Sequence, residues 1–293
     1  MKSRPEPSKG FSILIPSWNN LEFLELLIKS LKAHSNYPHQ IIVHVNEGLD
    51  GTKAFLEREG ITYSYSKGNV GVCKALNAAA ALAEKEYLVF MNDDMYVLPG
   101  WDIPWVEAIE SRNDDRFFFS ATMLEPKATG NKAVVAPVDF GRNPKAFKEA
   151  DLLATFSKFK RQDWLGATWP PNMVSKRLWE AVEGYSEEYT PGLYSDPDFS
   201  MKLWMQGVRD FRGFGHALVY HFMSRSVQRV PMNPGKKTFA CKWGLMPGFV
   251  RKQMLQTGKR YTGPLKNKPW YLHPKGWLSK IRALFLRLRY GKN

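Results

Sequence analysis

Short apolar runs alternate with amphipathic stretches along the first hundred residues. Phe11 to Pro16 (FSILIP) predicts a buried strand ended by proline. Leu21, Leu24, Leu27, Ile28 and Leu31 then recur at helical spacing, with Asn19 or Asn20 placed to cap the helix. Ile41 to Val45 predicts a second strand, and the turn formers from Asn46 to Thr52 open a helix running to about Glu59. Thr62 to Ser66 alternates as a third strand. After the turn Gly68-Asn69-Val70-Gly71, the alanine-rich stretch Val72 to Glu84 predicts a helix by propensity. Tyr87 to Met91 is a fourth apolar strand that runs straight into Asn92-Asp93-Asp94. This alternation predicts an α/β fold: a mostly parallel sheet flanked by helices, with functional loops at the C-terminal ends of the strands.

The pattern is weaker afterwards. A helix and an apolar strand, Phe117 to Met123, are expected within 101–123, followed by loop over 124–145. Helical spacing returns between Pro144 and Lys160. Trp164 to Val174 reads as strand and loop carrying two indoles, Lys176 to Val182 as a short helix, and strands lead to about Phe222. Residues 223–275 show no clear period. From Gly276 to Tyr290, Trp277, Leu278, Ile281, Leu284, Phe285 and Leu288 share one face of a helix with Lys and Arg opposite or at its edges.

The candidate chemistry gathers at the strand ends. Asp93 and Asp94 are adjacent acids where open α/β sheets bind ligands, and their mutual repulsion calls for a cation. A hard divalent ion that keeps positions open for substrate phosphates answers that need; a solvated turn is the plainer alternative. No strand end carries the glycine pattern of a dinucleotide fold or a P-loop, and no lysine- and glycine-rich segment for nucleotidyl transfer follows the first strand.

The segments FSILIPSWNN, VNEGLDGT, GNVGVCKALNAA and YLVFMNDDMYVLPGW have the order and spacing of family 2 glycosyltransferases, which the chain resembles over about residues 11–222. The resemblance implies the GT-A fold, with a nucleotide-binding half (11–100) and an acceptor and catalytic half (101–222). It implies an inverting, metal-dependent transfer of sugar from a nucleotide diphosphate, a UDP-sugar above others, to a hydroxyl of a glycan or lipid-linked acceptor. Glu47 then matches the acid that reads the base, Asp94 the ligand of Mn²⁺ or Mg²⁺, and Asp93 the position near ribose and sugar. Pro16, Trp18, Asn19, Asn69 and Lys74 fall in the donor-binding motifs, with Lys74 a stand-in for an arginine that is Leu76 here. Tyr194-Ser195-Asp196-Pro197-Asp198 resembles a Glu-Asp-x-Asp motif opening a helix, with Ser195 in place of Glu. Asp196 matches the catalytic base. Asp198, a candidate on the acceptor side, holds the helix start or orients neighbours. His221 resembles a histidine that completes the metal site. Trp164 and Trp169 offer aromatic faces for an acceptor sugar. Each has a plainer reading: a turn acid for Glu47, turn or packing amides for Asn69 and Asn77, core indoles, a helix cap for Asp196, a structural His221. A non-catalytic, membrane-tethered nucleotide- or glycan-binding module is the alternative for the whole chain.

Charge adds a partner. Net charge is +14, yet the last acidic residue is Asp210. Beyond it stand 18 Lys and Arg, leaving 24 of the 42 basic residues against all 28 acids in the body. A basic extension (223–293) with an amphipathic helix (276–290) predicts contact with an anionic membrane surface, and no nucleic-acid motif accompanies the charge. No apolar stretch is long enough to span a membrane. The start, residues 1–10, reads as a disordered lead-in without a signal sequence, and two cysteines give neither a disulfide framework nor zinc spacing. The expected setting is cytoplasmic, peripheral on the inner face of the cytoplasmic membrane.

Overall fold

A computed structural model describes residues 10–224, 231, 233–267 and 269–290. The lead-in, apart from Gly10, therefore lies outside the described residues. Four parallel strands form the first half of the sheet: β1 (Ser12–Trp18), β2 (Gln40–Asn46), β3 (Thr62–Ser66) and β4 (Tyr87–Phe90), in the order β3-β2-β1-β4. Helices α1 (Leu21–His34), α2 (Thr52–Arg58) and α3 (Gly71–Ala80) connect them. Ile13 and Ile15 face Leu24, Leu27 and Leu31 of α1, while Leu14 and Leu88 face Leu76 and Ala79 of α3. Burial on both faces is why β1 and β4 read as unbroken apolar runs.

Beyond β4 the sheet becomes mixed. The order continues β8 (Asn172–Ser175), β6 (Phe117–Leu124), β9 (Asp210–His221) and β5 (Met95–Val97), with β7 (Trp164–Leu165) beside β9. Here only β6 and β9 pair in parallel; β4–β8, β6–β8, β5–β9 and β7–β9 are antiparallel. Helices α4 (Ile103–Glu110), α5 (Glu149–Thr155), α6 (Lys176–Ala181) and α7 (Ser195–Met205) complete this half. One pairing matters most. The chain leaves β4 through Asp93-Asp94 and turns at once into β5, whose first residue, Met95, lies opposite His221 at the end of β9. That register brings Asp94 and His221 together.

Within the stretch that lacks periodicity in sequence (223–275), the described residues pack against the body, while 225–230, 232 and 268 lie outside the described residues. It forms α8 (Gly235–Trp243), the single turn α9 (Pro247–Phe249) and a π-helical turn (Val250–Met254). Phe239, Val250, Leu255 and Leu265 are buried with Leu203, Trp204 and Phe211. The last helix, α10 (Pro274–Tyr290), starts two residues before the predicted span.

Candidate active site

The C-terminal ends of β1, β2 and β4 open onto a cleft of about 480 Å³, closed on its other side by the loop 190–193 and the start of α7. Pro16, Trp18, Asn69, Asp93, Asp94, Trp169, Asp196 and His221, all candidates from sequence, line it together.

The floor is built on amides. Asp93 is buried, and its two carboxylate oxygens accept from Ser17 Oγ (2.8 Å) and Asn20 Nδ2 (3.0 Å). Asn20 thus turns its side chain to Asp93 rather than capping α1, and Asp50 Oδ2 accepts the Leu21 N–H instead, at 2.8 Å. Buried Asn46 donates to the Ser17 carbonyl (3.4 Å) and accepts the Val70 N–H (2.8 Å) and Ser66 Oγ–H (3.2 Å). A carboxylate could not donate, so the amide ties three strand ends where an acid could tie only two. Removing it strands buried groups. We expect Asn46→Ala to cost about 1–3 kcal/mol in urea unfolding.

Glu47 lies beside the cleft with left-handed backbone (φ 62°). Its Oε2 accepts from Trp18 Nε1 (2.8 Å) and Asn19 Nδ2 (2.9 Å), a clamp that fixes the indole at the cleft wall. Asn69 Oδ1 accepts the Gly71 N–H at 2.9 Å, shaping the turn into α3. Gly71 has φ 75°, and a Cβ there would lie 2.6 Å from Thr190 Cγ2. Only glycine lets α3 approach the opposite wall this closely.

The second pole joins Asp94, His221 and Glu125. Asp94 Oδ2 accepts the Ser224 N–H (2.7 Å) and stands 3.5 Å from His221 Nε2. His221 Nδ1 lies 3.0 Å from Glu125 Oε1. Burial alone would raise the Asp94 carboxyl, but His221 and the Ser224 amide outweigh it and hold it below the usual range. Burial likewise opposes charge on His221, yet Asp94 and Glu125 push its pKa up to about 10. In the absence of a metal the imidazolium supplies the positive charge these acids need; as a ligand, His221 would give up its Nε2 proton. Mn²⁺ or Mg²⁺ fits the same donor set: a carboxylate and an imidazole whose far nitrogen is held by a second carboxylate. Among the described residues no group of three or more His, Cys, Asp or Glu is placed to hold a metal ion. Two protein ligands suit an ion that takes its other oxygens from a diphosphate and water.

The third pole is Asp196, half-buried in the first turn of α7. Desolvation pushes its pKa up to about 7, against the Tyr185 hydroxyl, which donates to Asp196 Oδ1 at 3.3 Å. Tyr185 is itself fixed by stacking on Phe199, ring centroids 4.5 Å apart. Ser195, which stands where the resembled motif has Glu, donates its hydroxyl to the Gly192 carbonyl at 2.6 Å and pins the loop. Orientation of Asp196 comes from Tyr185 instead.

Three candidates lie elsewhere. Asp198 is fully buried, away from the cleft lining, and receives Trp243 Nε1 (2.7 Å), Ser186 Oγ (2.7 Å) and Lys242 Nζ (3.0 Å). It fastens α8 to α7 and does not line the cleft, which leaves its carboxylate without a path to an acceptor there. Trp164 is also core: its indole lies over Gly213, where any Cβ would collide, and donates to Thr122 Oγ1 at 2.8 Å. Lys74 is on the surface, 3.6 Å from Glu187, and does not line the cleft. Trp169 alone of the two indoles reaches the cleft. Asn77 bridges the Tyr185 N–H and carbonyl, a packing role. Glu125 and Tyr185 are missing from the sequence reading. Glu125 had a signal: like Asp94, it follows a wholly buried strand.

Residues 12–141 match the family described as Glycosyl transferase family 2. The chain is 25% identical over 235 residues to the O-antigen biosynthesis protein RfbC of Myxococcus xanthus, an alignment covering 75% of this chain but only 18% of that protein. The S. aureus TarS structure superposes with a TM-score of 0.55 at 17% identity, covering 80% of this chain and 39% of TarS. TarS 1–349 in complex with UDP-GlcNAc gives 0.54 at 16% identity, covering 79% of this chain and 65% of that one. At these identities the likeness is one of fold.

Proposed function

We propose, from the match of residues 12–141 to the family 2 glycosyltransferases, that this chain carries out an inverting transfer of sugar from a UDP-sugar to a hydroxyl of a glycan or lipid-linked acceptor. The observation that carries the proposal is the shared cleft, onto which both Asp94 and Asp196 open. TarS, of similar fold, has been solved with UDP and with UDP-GlcNAc, which supports the uridine reading.

In this account Trp18, clamped by Glu47, walls the nucleoside, and Asp93 faces ribose and sugar. Asp94 and His221 would hold Mn²⁺ or Mg²⁺. When bound, the ion neutralises charge growing on the leaving diphosphate. Asp196 takes the proton of the acceptor hydroxyl as its oxygen attacks the anomeric carbon from the face opposite the diphosphate. The bond from that carbon to the phosphate oxygen breaks, the nucleoside diphosphate departs, and a single displacement inverts the centre. With one Asp196 oxygen held by Tyr185, the other receives the proton. Trp169 offers its face to the acceptor sugar. The enzyme works peripherally at the inner face of the cytoplasmic membrane, a reading supported by the basic tail.

The test is nucleotide release from a panel of nucleotide sugars, followed across pH. Release with UDP-sugars should depend on Mn²⁺ or Mg²⁺. Asp196 acts only when deprotonated, so the rate should be flat above its pKa of about 7 and fall about tenfold per pH unit below it. A flat profile down to about pH 5.5 would remove Asp196 from the role.

A further inference from the structure

The last helix is docked by its smallest residues. Gly276, Ser279 and Ala283 form the buried stripe of α10, which packs on α8 and α9. Ser279 Oγ accepts the Met246 N–H at 2.8 Å. Opposite that stripe, Trp277, Leu278, Ile281, Leu284, Phe285 and Leu288 are 52–70% exposed. At about 100° per residue they cover an arc of roughly 120°. Lys280 and Arg287 fall on one flank of the arc, Arg282 and Arg289 on the other. Tyr271 and Leu272, 53% and 72% exposed, extend the patch. Among the described residues no helix is long and apolar enough to cross a membrane.

An apolar face bounded on both flanks by cations, on a helix without a single acid, matches an anionic bilayer surface. The apolar arc enters the acyl boundary while the flanking cations meet headgroup phosphates. A protein partner would need a wide apolar groove bordered by acids, and the segment that carries this helix has no acid after Asp210.

The element beneath α10 leads to the cleft. At its start, Gly235 is pressed against the Leu193 carbonyl, and the preceding Asn233 donates to the carbonyl of Tyr189 at 2.5 Å. At its end, Lys242 and Trp243 hold Asp198, two residues from Asp196. So α8 joins α10 both to the loop walling the cleft and to the helix bearing the candidate base.

We propose that α10 seats its outward face on an anionic bilayer and that α8 fixes the acceptor side of the cleft to that seat, so that the acceptor is drawn from the membrane. This rests on the transferase reading above. The test is cosedimentation of the full chain with vesicles of phosphatidylcholine and phosphatidylglycerol at 3:1, against phosphatidylcholine alone. Binding should require the anionic lipid. Ile281→Glu with Phe285→Glu, both at exposed positions, should weaken it about a hundredfold or more. Arg282→Gln with Arg287→Gln should weaken it about 25-fold, at about fivefold per charge. Calorimetric binding of UDP with Mn²⁺ should be unchanged in both variants. Hydrogen exchange on vesicles should slow over 274–288 and over 189–193. Equal binding to phosphatidylcholine overturns the proposal, as does protection confined to another surface. So does a dimer that the Ile281→Glu, Phe285→Glu variant dissolves while no vesicle is bound. Failure of the original chain to bind UDP would instead overturn the transferase reading.

Discussion

Asp196→Asn should lower turnover about 10²–10⁴-fold, the usual contribution of a positioned general base, while leaving the affinity for UDP within about twofold, since Trp18, the proposed nucleoside wall, stands on the strand side of the cleft and Asp196 on the other. The amide keeps the shape of the carboxylate, and its oxygen still accepts from the Tyr185 hydroxyl. The fold should not suffer. Burial raises the Asp196 pKa to about 7, so the folded state binds this proton more tightly than the unfolded chain. Stability therefore falls as pH rises from the ordinary carboxylate range to about 7, and the penalty is fully present above that. Asparagine removes the charge. At pH 8 the variant should unfold at the same temperature as the original chain or higher. An inactive variant of undiminished stability separates a base from a structural cap, because asparagine caps a helix as well as aspartate does and would leave a cap-only position active.

The second large effect is expected at Asp94. Asp94→Ala should make UDP affinity the same in Mn²⁺ and in EDTA, and lower kcat/KM about a hundredfold or more, as loss of several kcal/mol of charge stabilisation requires. Alanine also leaves the Ser224 N–H without its acceptor. Asp94→Asn is therefore the companion variant: it keeps an oxygen for that amide and loses the charge. If the two behave alike, charge is the cause. If Asp94→Asn retains metal-dependent binding, the ion is held elsewhere.

The parallel half of the fold was legible because buried strands and amphipathic helices write different periods into a sequence. The same four strands carry their polar ends into one cleft, which is why Trp18, Asp93 and Asp94 could be named. What lay hidden depends on contacts between distant segments. The pairing of Met95 with His221 sets one end of β5 against one end of β9, and no local pattern announces it. Trp164 and Trp169 are both tryptophans of one short segment, and only the glycine at 213 on a neighbouring strand decides that the first lies flat in the core. Asp198 is expected on the acceptor side, at the helix start, and what it holds becomes visible only when α8, from a stretch with no readable period, brings Trp243 and Lys242 onto it. Asn46 reads only as a turn former, yet its amide makes a bond to the Ser17 carbonyl that an acid could not. Serine at 195 looked like a loss, and the orienting group proved to be Tyr185, ten residues upstream in a different loop.

The most direct measurement is a crystal structure with Mn²⁺ and a non-hydrolysable UDP-sugar. The account predicts an anomalous manganese peak bounded by Asp94 and His221, with the sugar ring between that peak and Asp196 and its anomeric carbon open to the carboxylate. A donor whose sugar ring lies away from Asp196, or a manganese peak remote from Asp94, would contradict it.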